Sequence, residues 1–121
     1  MNPDDLRMRT KQFALRMFQL AENLPRTASG RVLATQIAKC GTSVAANYRA
    51  ACKGRSKAEF IAKLGVVEEE ADESQFWVEM VMEAKLIPSA RLSLLHKEAQ
   101  ELTGHIRRLT QNSFGARFVT N

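Results

Sequence analysis

The stretch Lys53–Lys57 (KGRSK) places a glycine and a hydroxyl among three basic side chains, which are the groups that bind phosphate in nucleotide-binding loops. A Walker-type loop requires the spacing G-x-x-x-x-G-K-[ST] between a strand and a helix. Here Arg49 stands five residues before Gly54, Arg55 follows the glycine, and the preceding periodicity is helical. Spacing and context therefore argue against a nucleotide-binding loop.

The same stretch suits the end of one helix and the start of the next. We expect Gly54 to adopt the left-handed conformation that often terminates helices, because glycine has no Cβ. Ser56 is a favoured N-cap residue, and Glu59, three residues later, completes a capping-box pattern. The end of one helix and the start of the next thus explain the glycine, the serine and the glutamate, but not the surrounding cations.

The cations around this turn repel one another. Arg49 and Lys53 are four residues apart on one helix face, a spacing that costs about 0.2–0.5 kcal/mol for like charges. Three explanations stay open: a phosphate-bearing partner, the acidic band of another subunit, or a solvated basic corner. The candidate nucleic-acid contacts are Arg7, Arg9, Lys11, Arg16, Arg49, Lys53, Arg55 and Lys57. Few aromatic residues are interleaved with them, so single-strand base stacking is not indicated.

The histidines lack the spacing of a di-iron site, which in helical bundles uses two Glu-x-x-His pairs. Ser93 stands three residues before His96, and Leu102 stands three before His105. No local spacing assembles a nucleophile with a base either. We therefore predict a protein that is not an enzyme and uses no metal or cofactor.

The two cysteines are predicted to be structural. Cys40 and Cys52 are twelve residues apart in one predicted helix, or about 18 Å at the helical rise per residue. A disulfide requires Cα atoms within about 7 Å. The amino terminus lacks the apolar core of a signal peptide, and no apolar run reaches membrane-spanning length. These features predict a cytoplasmic protein.

Charge is distributed unevenly along the 121 residues, whose net charge is +5. Residues 1–57 carry eleven Lys and Arg against three acids, whereas residues 58–101 carry four against ten. The run Glu68–Glu73 indicates a solvated or partner-facing acidic band, in which Glu69 and Glu73 share one face. Such a bipolar molecule can attract polyanions with one surface and basic surfaces with another.

Helical periodicity predicts a single all-α domain over residues 1–121, an up-down-up-down antiparallel four-helix bundle. The predicted helices cover about 4–24, 29–52, 57–86 and 89–111, followed by a frayed tail over 112–121. Gly41 lies inside the second helix at a cost of nearly 1 kcal/mol relative to alanine, so we expect a packing reason for it.

The third predicted helix is apolar on more than one face, which predicts an oligomer interface there. Phe76 and Trp77 occupy neighbouring faces and cannot both point easily into one core. Met80 widens the same surface, and Glu69 and Glu73 flank it. These five residues are the predicted oligomer interface.

The segments Gln36–Ala51 and Gly54–Leu64 strongly resemble the bacterial four-helix-bundle proteins called 23S rRNA-intervening sequence proteins. Leu24-Pro25 and Val67–Ser74 also look like that family, and the resemblance covers roughly residues 10–110. Many relatives carry Glu-Gly where this chain has Arg49-Ala50, so any interaction of that glutamate is not carried over.

This resemblance implies a left-handed bundle that assembles as a homopentamer around a central channel. The chain is also similar to the accessory variability proteins of diversity-generating retroelements, which are basic pentamers that bind nucleic acid and a reverse transcriptase. Our leading hypothesis is a ring that binds RNA or DNA through phosphate contacts. The alternative is a structural scaffold whose basic and acidic faces pair between subunits, without nucleic-acid binding.

Overall fold

Four α-helices make up the computed structural model, which describes the backbone of residues 2–119 and the side chains of residues 2–112. They are α1 (Pro3–Glu22), α2 (Ala28–Cys52), α3 (Lys57–Glu83) and α4 (Ser89–Val119). The fold is all-α, and within residues 2–119 there is no β-strand. None of the described helices combines the length and the apolarity that crossing a membrane requires.

Each of the first three helices begins with a side-chain cap. The side chains of Asn2 and Thr27 accept hydrogen bonds from backbone N–H groups three residues later, at 2.8 and 3.1 Å. Ser56 Oγ accepts from the N–H of Glu59 at 3.1 Å, as predicted. The Glu59 carboxylate accepts from the N–H of Arg55 at 2.6 Å. These two hydrogen bonds, one to the Ser56 hydroxyl and one to the Glu59 carboxylate, therefore stabilise the turn between α2 and α3.

Gly54 does not adopt the predicted left-handed conformation, because its φ is not positive. Its N–H donates to the carbonyl of Ala51 at 3.0 Å. A Cβ at this position would stand 3.1 Å from that same oxygen and 3.3 Å from the nitrogen of Phe60. The glycine is therefore explained by close backbone approach, whereas Lys85, with φ of 57°, takes the left-handed conformation after α3.

Two helix ends differ from the predicted bounds by three residues or more. α3 ends at Glu83, three residues before the predicted end, where the backbone turns toward Lys85. The backbone of α4 continues to Val119, eight residues past the predicted end near 111. A single glycine such as Gly115 costs a helix only about 1 kcal/mol, which is too little to terminate it by itself.

The core is formed by one apolar stripe from each helix. α1 packs along α2, α2 along α3 and α3 along α4, whereas α4 approaches α1 far less closely. The large side chains that are most completely buried are Phe13, Met17, Ile37, Val44, Tyr48, Leu64, Val67, Val78, Val81, Leu102 and Ile106. Within the described residues, α1 and α3 do not approach each other, so they lie at diagonal positions.

Gly41 has the packing reason that its sequence context predicts. A Cβ built on Gly41 would stand 2.6 Å from Cβ of Met17 and 3.8 Å from Cα of Ala14. Because real Cβ atoms do not approach that closely, the absence of a side chain at Gly41 allows α1 and α2 to pack at this distance.

Candidate nucleic-acid interface

The first turn of α1 and the last turn of α2 meet at one end of the molecule. The hydroxyl of Tyr48 lies 3.5 Å from the carbonyl oxygen of Pro3. Leu6 of α1 and Arg108 of α4 line a common groove of about 190 Å³. The turn that follows Tyr48 therefore lies beside the start of α1 and the second half of α4.

This end of the molecule gathers basic side chains from all four helices, and we call it the basic end. Its exposed members are Arg7, Arg49, Lys53, Arg55, Lys57 and Arg108. Sequence reasoning missed Arg108, although the three arginines after residue 101 were a signal for it. Side chains that are as much as 101 positions apart in sequence thus share one surface.

The helix dipoles interact favourably with some of these cations and unfavourably with others. Arg49 and Lys53 lie in the last turn and at the C-cap of α2, where a positive charge interacts favourably with the free carbonyls. Lys57 is the first residue of α3, and Arg55 precedes the Ser56 cap, so both stand near the positive end of a helix dipole. An anion between them would interact favourably with both side chains and with the helix terminus.

Two arginines of α1 are engaged by acids of the same chain. Arg7 forms an ion pair with Asp4. Arg9 donates to both carboxylate oxygens of Glu98, at 2.7 and 2.6 Å, and to Glu101 at 2.8 Å. The hydrogen bond to Glu98 raises the pKa of Arg9 above its usual value, despite partial burial, which acts in the opposite direction. These hydrogen bonds of Arg9 therefore link α1 to α4.

Lys11 and Arg16, the remaining predicted contacts, lie away from the basic end. Lys11 is exposed on α1 between the apolar side chains of Met8 and Leu15. Arg16 lines a groove of about 210 Å³ between α1 and α4, together with Arg91. The eight predicted cations therefore do not form a single surface.

Gly54, Ser56 and Lys57 line a cavity of about 410 Å³. The rest of its wall is largely apolar and includes Leu6 and Phe60. Ser56 Oγ already accepts the capping hydrogen bond from Glu59. Because the residues before Gly54 form a helix and not a strand, this cavity does not lie at the strand-to-helix turn of a Walker-type loop, in agreement with the spacing argument.

Four of the five residues of the predicted oligomer interface are exposed on α3. Phe76 and Met80 are 51% and 39% exposed, and Glu69 and Glu73 lie on the same face. Trp77 is half-buried and packs against the core. Its ring meets the Phe76 ring edge-on, with centroids 4.9 Å apart. Trp77 thus supports the exposed Phe76 from the side of the core.

Cys40 and His96 form hydrogen bonds with side chains of α3. Cys40 is buried and accepts a hydrogen bond from the Ser74 hydroxyl at 3.3 Å, and burial raises the pKa of its thiol. His96 Nε2 lies 2.7 Å from a carboxylate oxygen of Glu79. Among residues 2–112 no three His, Cys, Asp or Glu side chains are grouped as metal ligands.

An all-α protein of four helices with a basic end is the class that these features define. The sequence matches the family described as 23S rRNA-intervening sequence protein over residues 5–108, and the chain belongs to that family. No curated protein matches the sequence.

One similar solved structure is a protein of unknown function from the S23 ribosomal protein family of Bacteroides thetaiotaomicron. The two share 26% sequence identity and superpose with a TM-score of 0.84. The match covers 92% of this chain and 99% of the other. The four-helix arrangement is thus common to both proteins.

Proposed function

We propose that this protein is a non-enzymatic up-down four-helix bundle that forms a homopentamer and binds RNA or DNA phosphates through its basic end. The observation that supports binding most strongly is the gathering at one end of the molecule of five exposed cations from α2, α3, α4 and the α2–α3 turn, beside Arg7, which pairs with Asp4. Electrostatic attraction of this kind is the main source of sequence-independent nucleic-acid binding.

The up-down arrangement is supported by contacts whose sequence order is reversed. Along α3 and α4, Glu68 pairs with Arg107 whereas Glu79 pairs with His96. Between α1 and α2, the start of one helix meets the end of the other through Pro3 and Tyr48. Connections of four or five residues between successive helices also favour antiparallel neighbours.

The pentamer is supported by the family resemblance and by the exposed apolar face of α3. Five copies would present five basic ends, and linked sites gain avidity even when each contact is weak. A reverse transcriptase remains a proposed protein partner by the same resemblance, and a cytoplasmic location remains a prediction.

Charge reversal at the basic end tests nucleic-acid binding. We expect Lys53→Glu/Arg55→Glu to weaken binding of duplex RNA or DNA at least about tenfold at low salt and to flatten the salt dependence of affinity. The matched control is Arg26→Glu/Arg31→Glu, which changes net charge equally at exposed positions around the start of α2. Filter binding across a salt series measures both. Equal losses in the two variants, or no retention of RNA or DNA by the unmodified protein, would refute the proposal.

The alternative scaffold function is favoured by one observation, the exposed carboxylates of Glu69 and Glu73 within the apolar face of α3. In that case high salt dissociates the oligomer, and charge reversal at Arg49 and Lys53 lowers its mass. Light scattering on the protein without nucleic acid separates the two functions.

A further inference from the structure

Two exposed apolar stripes lie on α1 and α3. On α1, Met8, Leu15 and Phe18 are 63%, 53% and 44% exposed, and Lys11 lies among them. These positions are three, four and three residues apart, which places them on one helix face. We call residues 8, 11, 15 and 18 the α1 stripe; sequence reasoning identified Lys11 but missed the apolar members.

The second stripe lies on the outer face of α3. Its members are Val66, Glu69, Glu73, Phe76 and Met80, all exposed and separated by three or four residues. We call them the α3 stripe. Because α1 and α3 are diagonal in the bundle, neither stripe covers the other within one chain. Each is an apolar surface that the described fold leaves in contact with water.

We propose that the α1 stripe of one copy packs against the α3 stripe of a second copy. The inference rests on the proposed up-down arrangement and assembly, but not on nucleic-acid binding. In an up-down bundle α1 and α3 run in the same direction, so rotation about an axis along the helices brings them together in parallel.

The spacing of the two stripes matches in that orientation. Positions 8, 11, 15 and 18 and positions 66, 69, 73 and 76 are separated by the same steps of three, four and three residues. Lys11 then faces Glu69, and the apolar pairs are Met8 with Val66 and Phe18 with Phe76. Leu15 falls opposite Glu73, whose carboxylate lies one helical turn from Lys11. The interface combines apolar contacts with one charge pair that sets its register.

Charge also selects between the possible pairings of copies. About an axis along the helices, a symmetric contact between two α3 stripes would bring Glu69 and Glu73 against the same carboxylates, and one between two α1 stripes would bring Lys11 against Lys11. The mixed pairing joins opposite charges and leaves one free stripe on each copy of the pair, the α3 stripe on one copy and the α1 stripe on the other. Such head-to-tail contacts form a ring when the rotation from one copy to the next closes, as the proposed pentamer requires.

Charge exchange tests the register. We expect Lys11→Glu and Glu69→Lys each to raise the dissociation constant of the assembly at least about tenfold, and the double variant to restore it. Arg31→Glu is the control for net charge at an exposed site outside both stripes. Light scattering and sedimentation give the mass, and circular dichroism verifies folding. A double variant that dissociates as readily as the single variants would overturn the proposed pairing.

A mixing experiment tests the asymmetry. Leu15→Glu/Phe18→Glu blocks only the α1 stripe, and Phe76→Glu/Met80→Glu blocks only the α3 stripe. Each variant alone should be monomeric, whereas their mixture should form a 1:1 dimer through the two intact stripes. A mixture that stays monomeric contradicts the inference.

Failure of the stripe pairing is distinguishable from failure of the proposed function. If the unmodified protein is monomeric, both the assembly and the pairing are lost. If it is oligomeric and the stripe variants keep its full mass, the pairing alone is lost. Filter binding of RNA or DNA tests the remaining part of the proposed function separately.

Discussion

The two sides of α1 are held to the rest of the bundle by different means. Toward α2, Gly41 allows Met17 and Ala14 to approach the neighbouring backbone closely, so the contact depends on shape. On the other side, α1 and α4 are in contact over a much smaller surface than α1 and α2. Arg9 of α1 bridges to α4 through ion pairs with Glu98 and Glu101.

This difference predicts two kinds of sensitivity. A close-packed contact cannot absorb even one extra methyl group unless the helices move apart. A contact made by charged groups tolerates changes of volume but fails when one partner is removed, because the remaining charges keep their desolvation cost. The side of α1 that is changed should therefore decide which substitutions destabilise the protein.

The largest effect is expected for Gly41→Ala. The new Cβ would clash with Cβ of Met17, which cannot rotate away, so we expect a loss of about 3 kcal/mol in the free energy of unfolding. The matched control is Gly65→Ala on α3, where a Cβ meets no atom within 4 Å. That substitution should instead stabilise the protein by about 0.5–1 kcal/mol through helix propensity. Urea unfolding at one protein concentration measures both changes in the free energy of unfolding. If the two substitutions changed stability in the same direction, the shape argument would be contradicted.

A smaller effect is expected for Arg9→Met on the other side of α1. Loss of the hydrogen bonds to Glu98 and Glu101 should lower the free energy of unfolding by about 1.5–2 kcal/mol. Arg9 and Glu98 side chains are only 21% and 16% exposed, so added salt should reduce this difference only slightly. A double-mutant cycle with Glu98→Gln measures the coupling. Additive effects of the two substitutions would show that the pair does not hold α1 to α4.

The smallest effect is expected for His105, which lines the α1–α4 groove. Burial and the positive charges of Arg9 and Arg108 lower its pKa in the folded protein, while Glu101 acts in the opposite direction. The unfolded chain therefore binds the proton more readily, and stability should fall as pH drops below the unfolded value of 6.5 toward the lowered pKa.

Removing the imidazole tests this pH dependence. His105→Gln should flatten the stability profile in that range, whereas His96→Gln, on the other side of α4, should leave the His105 contribution in place. Urea unfolding between pH 7 and pH 5 provides the profiles. An unchanged profile in His105→Gln would assign the acid sensitivity to other groups.

Much of the fold could be predicted because its signals are local. The spacing of apolar residues predicted four helices, and the structure has four. The apolar residues that recur at helical spacing along α2 are buried, namely Leu33, Ile37, Cys40, Val44 and Tyr48. Ser56 was found as a cap because its partner is only three residues away. The predicted left-handed conformation of Gly54 is wrong. Glycine is required both where φ is positive and where two backbone segments approach closely, and the sequence does not distinguish these two reasons.

The candidate site was predictable only in part. The exposed cations near the α2–α3 turn follow from sequence, because the turn itself is local. The pairing of Arg9 with Glu98 joins residues 89 positions apart, and no spacing rule reveals it. The exposure of Met8, Leu15 and Phe18 was also hidden, since an apolar residue at helical spacing is normally assigned to the core.

The sequence by itself determined the number of helices, their approximate bounds, their buried stripes and the uneven distribution of charge. These properties depend on residues within a few turns of one another. Tertiary structure decided which cations share the basic end, which one is neutralised by α4, and which apolar faces remain uncovered. Those outcomes depend on which helices become neighbours, and that is set by the packing of all four stripes together.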